Sequence, residues 1–114
     1  MAADANTRLS TLVARLEADP AALAQDRDAG DQLALEIGGE LALRWRIAVV
    51  RGLIAVDPDT VREAYGELVD RYRDDAASLT HIKPLGDEIR RHESDGSLPS
   101  TLVARSDRRA KTQR

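Results

Sequence analysis

The chain has 114 residues, a formal net charge of −3, 42% hydrophobic residues, only 3% aromatic ones, and neither Phe nor Cys. That length makes one domain, the missing thiols exclude a disulfide framework or a thiolate metal centre, and the aliphatic inventory favours helices packed through Leu, Ile, Val and Ala. Charge is unevenly divided: residues 100–114 carry five Lys/Arg against one Asp, net +4, and residues 1–99 carry twelve against nineteen, net −7.

Leu9, Leu12, Val13 and Leu16 recur at the spacing of an amphipathic helix, with Asn6 or Thr7 as candidate N-cap. Asp19-Pro20 is expected to end it and start a short, weakly apolar helix over 21–29, closed by Gly30. A longer segment opens at Asp31 and places Leu33, Ile37, Leu41, Trp45 and Val49 on one face. Gly38-Gly39 interrupts that face and predicts a bend, a break or a close helix crossing. Residues 40–56 are apolar nearly all round and are expected to be the most buried element. The rival is a β-hairpin of Ile47–Val50 and Leu53–Val56 about Arg51-Gly52, which lacks a third strand to pack on.

Asp57-Pro58-Asp59 reads as N-cap, first helical residue and first-turn acid of a helix running to about Ser78. Its apolar face is Val61, Ala64, Tyr65, Leu68, Val69 and Tyr72. Pro84 is expected to start a last short helix with Leu85 and Ile89 turned inward. Residues 93–97 then lead, as a polar linker, into a basic tail. The predicted fold is all-α: a small bundle of four to five helices around a central αα-hairpin at about 40–78. One helical domain over 1–95 is followed by a linker and flexible basic C-terminal tail over 96–114.

The N-terminus lacks the basic-then-apolar pattern of a secretion signal, and the longest apolar run, 47–56, is too short to span a bilayer. A cytoplasmic protein without membrane contact is expected. Catalytic chemistry finds no support. There is no Gly-x-Ser-x-Gly elbow and no glycine-rich phosphate loop. His81 and His92 have no orienting partner in sequence, and Glu88 and His92 stand at i, i+4 rather than in a Glu-x-x-His di-iron pattern. No cofactor and no metal are expected.

The remaining constellations point to contacts. Arg44-Trp45-Arg46 with Arg51 is the best basic-aromatic cluster. It reads either as a core Trp flanked by rim arginines or as an interface anchor. Glu63, Glu67, Asp70 and Asp74 align four carboxylates on one helical face. They form a solvated surface or a docking strip for a basic partner, this chain's tail included. The tail supplies Arg105, Arg108, Arg109, Lys111 and Arg114, and it repeats Ser10–Arg15 word for word at Ser100–Arg105. In the copy, Pro99 and Ser106 replace the residues matching Leu9 and Leu16. Leu102 and Val103 remain its only apolar anchors.

The expected function is a small non-catalytic interaction subunit, an adaptor or a self-associating assembly component, bound to a protein partner or to its own kind. The alternative is a nucleic-acid-binding protein using the tail beside a degenerate helix-turn-helix at 31–47. Against it stand an acidic body that repels phosphate and a supposed recognition helix made largely of Leu and Ala.

Overall fold

A computed structural model of the chain describes residues 2–94, with side chains from Ala5 onward. The basic tail and the second copy of the repeat lie outside the described residues. The described chain forms five α-helices, α1 (Ala2–Ala18), α2 (Leu23–Ile37), α3 (Gly39–Val56), α4 (Val61–Arg71) and α5 (Ala76–Ser94), with 3-10 turns at Pro20–Ala22 and Pro58–Thr60. It is an all-α bundle. No strand occurs among the described residues, so the hairpin at 47–56 is replaced by the single helix α3.

α3 is the axis of the bundle and touches each of the other four helices, α1 and α2 more extensively than α4. Eight of its residues are buried, including Trp45, Val49, Val50 and Leu53. Leu9, Val13 and Leu16 form the buried face of α1, and Ile82, Leu85 and Ile89 that of α5. Each such side chain contributes about 1.5–3 kcal/mol by leaving water. The core thus runs along α3 and is aliphatic except for one indole.

Several boundaries differ from the sequence reading, each for a physical reason. α1 begins at Ala2, so Asn6 and Thr7 lie inside it and do not cap it. The Asp19 cap forms as expected, its carboxylate accepting the Ala21 N–H at 3.1 Å. Gly30 does not close a helix; it sits within α2, and an added Cβ there would fall 2.0 Å from the Trp45 ring. Its lack of a side chain is what lets α2 lie against the indole. The break comes instead at Gly38-Gly39, whose φ angles are +67° and +68°. Gly38 also has ψ −162°, a region essentially reserved for glycine.

Asp57 makes no side-chain cap hydrogen bond; Pro58–Thr60 forms a 3-10 turn before α4 starts at Val61. α4 stops at Arg71, short of Ser78, because Asp75 starts a new helix by accepting the Ser78 N–H at 3.2 Å and the Ser78 hydroxyl at 2.8 Å. Pro84 therefore lies inside α5 and does not begin it. A proline in a helix interior costs about 3 kcal/mol. Ile82 and Leu85 on either side of it are buried, and that packing offsets the lost backbone hydrogen bond.

Candidate functional site

The arginine-tryptophan cluster is not a surface patch. Trp45 is 0% exposed, and its Nε1–H donates to Asp31 Oδ1 at 2.9 Å. A buried Trp with its N–H satisfied is a core anchor, so the expected role for Trp45 at a partner contact is corrected. The three arginines around it each tie α3 to a different part of the chain. Arg44 pairs with Glu17 of α1 at 3.0 Å, and Arg51 holds Glu88 of α5 at 2.6 Å. Arg46 donates to the Tyr72 hydroxyl at 2.7 Å, its guanidinium carbon lying 5.9 Å from that ring's centre.

The Arg51 hydrogen bond holds the Glu88 carboxyl below its ordinary range, and Glu88 in turn raises Arg51. Across the bundle, Arg15 grips the buried Asp26 with two hydrogen bonds of 2.8 and 3.1 Å. Arg15 closes the first copy of the repeated hexapeptide. Arg62 likewise pairs with Glu93, joining α4 to α5. Most of the well-formed ion pairs are thus struts between helices.

The acidic stripe is exposed at Glu63, Glu67, Asp70 and Asp74. Asp74 falls beyond the end of α4, in the turn toward α5, which leaves three of the four carboxylates on that helix. None of the four forms an ion pair among the described residues. Arg105, Arg108, Arg109, Lys111 and Arg114 lie outside those residues. His81 is exposed and His92 half-buried, and no cluster of three potential metal ligands occurs among the described residues. The helix-turn-helix reading of 31–47 also loses its geometry. α2 and α3 are separated by Gly38 alone, where that motif uses a turn of three to four residues, and eight of the eighteen residues of α3 are buried.

What the structure brings together was not anticipated. Helices α2, α3 and α4 enclose an open cleft of about 250 Å³. Its apolar wall comes from Val49 and Val50 of α3 and Ala64 and Leu68 of α4. Leu35 of α2 stands at the cleft 66% exposed, the most exposed large hydrophobic side chain among the described residues. Arg27, Arg46 and Arg71, one from each helix, line the cleft together with Asp31 and Glu67. Asp31 is engaged, accepting from Trp45 and lying 3.7 Å from Arg27. Arg71 makes no ion pair among the described residues.

Of these residues, the sequence reading singled out only Arg46, Glu67 and the core positions. The available signal was Arg27, Asp31 and Leu35 at i, i+4 and i+8, one face of a helix that the reading had split in two at Gly30. No protein-family model matches the chain, and neither does any curated protein or solved structure.

Proposed function

We propose that this protein is a small non-catalytic interaction subunit, an adaptor or assembly component, that engages a protein partner through the α2–α3–α4 face. The observation that carries the reading is Leu35, an aliphatic side chain left in water beside an apolar-walled cleft. An exposed apolar side chain next to a concave surface, with arginines at its edge and a rigid core beneath, is the composition of a protein contact. The close packing of Trp45 on Gly30 and the hydrogen bond from Arg46 to Tyr72 support it by tying α2 and the end of α4 to α3, which lowers the ordering cost of binding. This surface takes the role that sequence reasoning gave to Trp45.

The test is light scattering of the intact chain and of Leu35→Asp at low and high salt, with cross-linking of the chain in its native extract. A contact centred on apolar surface persists at high salt and is lost in Leu35→Asp. A chain that stays monomeric, cross-links to nothing and turns over a substrate contradicts the proposal. Binding to DNA that weakens steeply with salt and disappears on removal of residues 100–114 transfers the function to the nucleic-acid alternative.

A further inference from the structure

Resting on the interaction reading above, the geometry points to a specific kind of partner: we propose that the α2–α3–α4 cleft receives one aliphatic side chain from an acidic amphipathic segment of another protein. Size is the first argument. At about 250 Å³ the cleft lies below the roughly 300–1,000 Å³ of sites that enclose cofactors and metabolites. It suits a single anchoring side chain, the mode in which an amphipathic helix lays its apolar face into a groove.

The walls fix the chemistry of the anchor. Val49, Val50 and Leu68 are at most 5% exposed and contribute aliphatic surface only. None of Trp45, Tyr65 and Tyr72 is among the residues that line the cleft. No ring is left open for stacking on a nucleobase, which separates this site from the aromatic platforms that bind single-stranded nucleic acid.

Charge fixes what surrounds the anchor. Three arginines from three helices line the cleft, against two carboxylates, Glu67 and an Asp31 that is already bonded to Trp45 and paired with Arg27. Arg46 spends its hydrogen bond on a neutral hydroxyl, and Arg71 lies exposed. Carboxylates flanking an aliphatic residue complete this arrangement. A phosphate backbone fits it poorly, because it offers no aliphatic side chain to fill the wall formed by Val49, Val50, Ala64 and Leu68.

The experiment titrates the full-length protein with a labelled helical peptide bearing Leu at every third or fourth position and Glu elsewhere, and with a copy in which Lys replaces each Glu. Anisotropy of the label gives affinity. Emission of Trp45, the chain's one tryptophan, reports occupancy because its N–H bonds to Asp31 at the cleft. The Glu peptide binds and the Lys peptide binds at least about tenfold more weakly, as opposite rim charge requires. Arg71→Glu weakens the Glu peptide by about tenfold, and Arg71→Gln serves if the reversal disturbs the melting temperature. Replacing the Leu residues of the peptide with Ser abolishes binding.

Equal or stronger binding of the Lys peptide, full affinity in both Arg71 variants, preference for duplex DNA, or no binding of any peptide overturns the inference. If the peptides fail while Leu35→Asp still dissolves a complex of the intact chain, the partner class is wrong and the interaction reading stands.

Discussion

Gly30→Ala is the substitution with the sharpest consequence, and its size follows from three distances. A Cβ at position 30 would lie 2.0, 2.2 and 2.5 Å from Cζ2, Cε2 and Cη2 of Trp45. Non-bonded carbons rest at about 3.5–4.0 Å, so the ring must retreat by more than an ångström. It has little room to do so. Trp45 is 0% exposed and tethered to Asp31 at 2.9 Å, and α3 behind it contacts every other helix. Overpacking costs about 1–3 kcal/mol, and losing the indole hydrogen bond adds about 1 kcal/mol. Replacing Gly by Ala within a helix returns about 1 kcal/mol.

The net is a destabilisation of about 1–3 kcal/mol, which for a domain of this size lowers the melting temperature by at least about 4 °C. Urea unfolding followed through Trp45 emission measures it. Gly66 is the control: it is also helical, with nothing within 4 Å of its added Cβ, so Gly66→Ala raises stability by about 0.5–1 kcal/mol. The double variant Gly30→Ala/Trp45→Leu recovers part of the Gly30→Ala loss relative to Trp45→Leu alone. Gly30→Ala as stable as the wild type would refute the packing described for α2 and α3.

Other consequences are smaller. Gly38→Ala forces a Cβ onto φ +67°, ψ −162° and costs about 1–3 kcal/mol by denaturant melt, although no neighbour obstructs it. Asp26→Ala removes a two-bond ion pair whose carboxylate is buried and whose arginine is half exposed; screening at the Arg15 end limits the loss to about 1–2 kcal/mol by the same melt. For pH, Arg51 lowers Glu88 chiefly through its hydrogen bond, and the Ser78 side chain and backbone lower Asp75. Groups whose folded pKa is depressed stabilise the fold above the unfolded carboxylate value, near pH 4, and lose that contribution as pH falls through the folded value. Unfolding midpoints across that window therefore drop more gently in Glu88→Gln and Ser78→Ala than in the wild type.

The helices whose causes are local were legible in sequence. Leu9, Val13 and Leu16 announced α1 by spacing, Asp19-Pro20 marked the first turn, and Gly38-Gly39 marked the break that the positive φ angles explain. Misreadings occurred where the cause lies elsewhere in the chain. Gly30 looked like a helix terminator because its reason for being glycine is an indole fifteen residues away. Pro84 looked like a helix start because the buried side chains that hold it inside α5 act through tertiary contact with α3 and α4. The start of α5 was readable in principle from Asp75 and Ser78, a capping pair three residues apart, but the acidic stripe running to Asp74 suggested a longer α4.

The cleft was hidden for the same reason. Its residues come from three helices, and each alone resembles an ordinary solvated arginine or a core valine. Trp45, by contrast, was placed correctly on the core face, and only its expected role at an interface did not survive its burial.

The central claim is that partner contact is made at the α2–α3–α4 cleft, and residue-resolved NMR of the titration with the Glu-rich amphipathic peptide tests it most directly. The account predicts amide shifts concentrated around Arg27–Leu35, Arg46–Val50 and Ala64–Arg71, and their disappearance in Leu35→Asp with the fold intact. Shifts confined to α1 and α5, or a Leu35→Asp variant that binds as the wild type does, would contradict it.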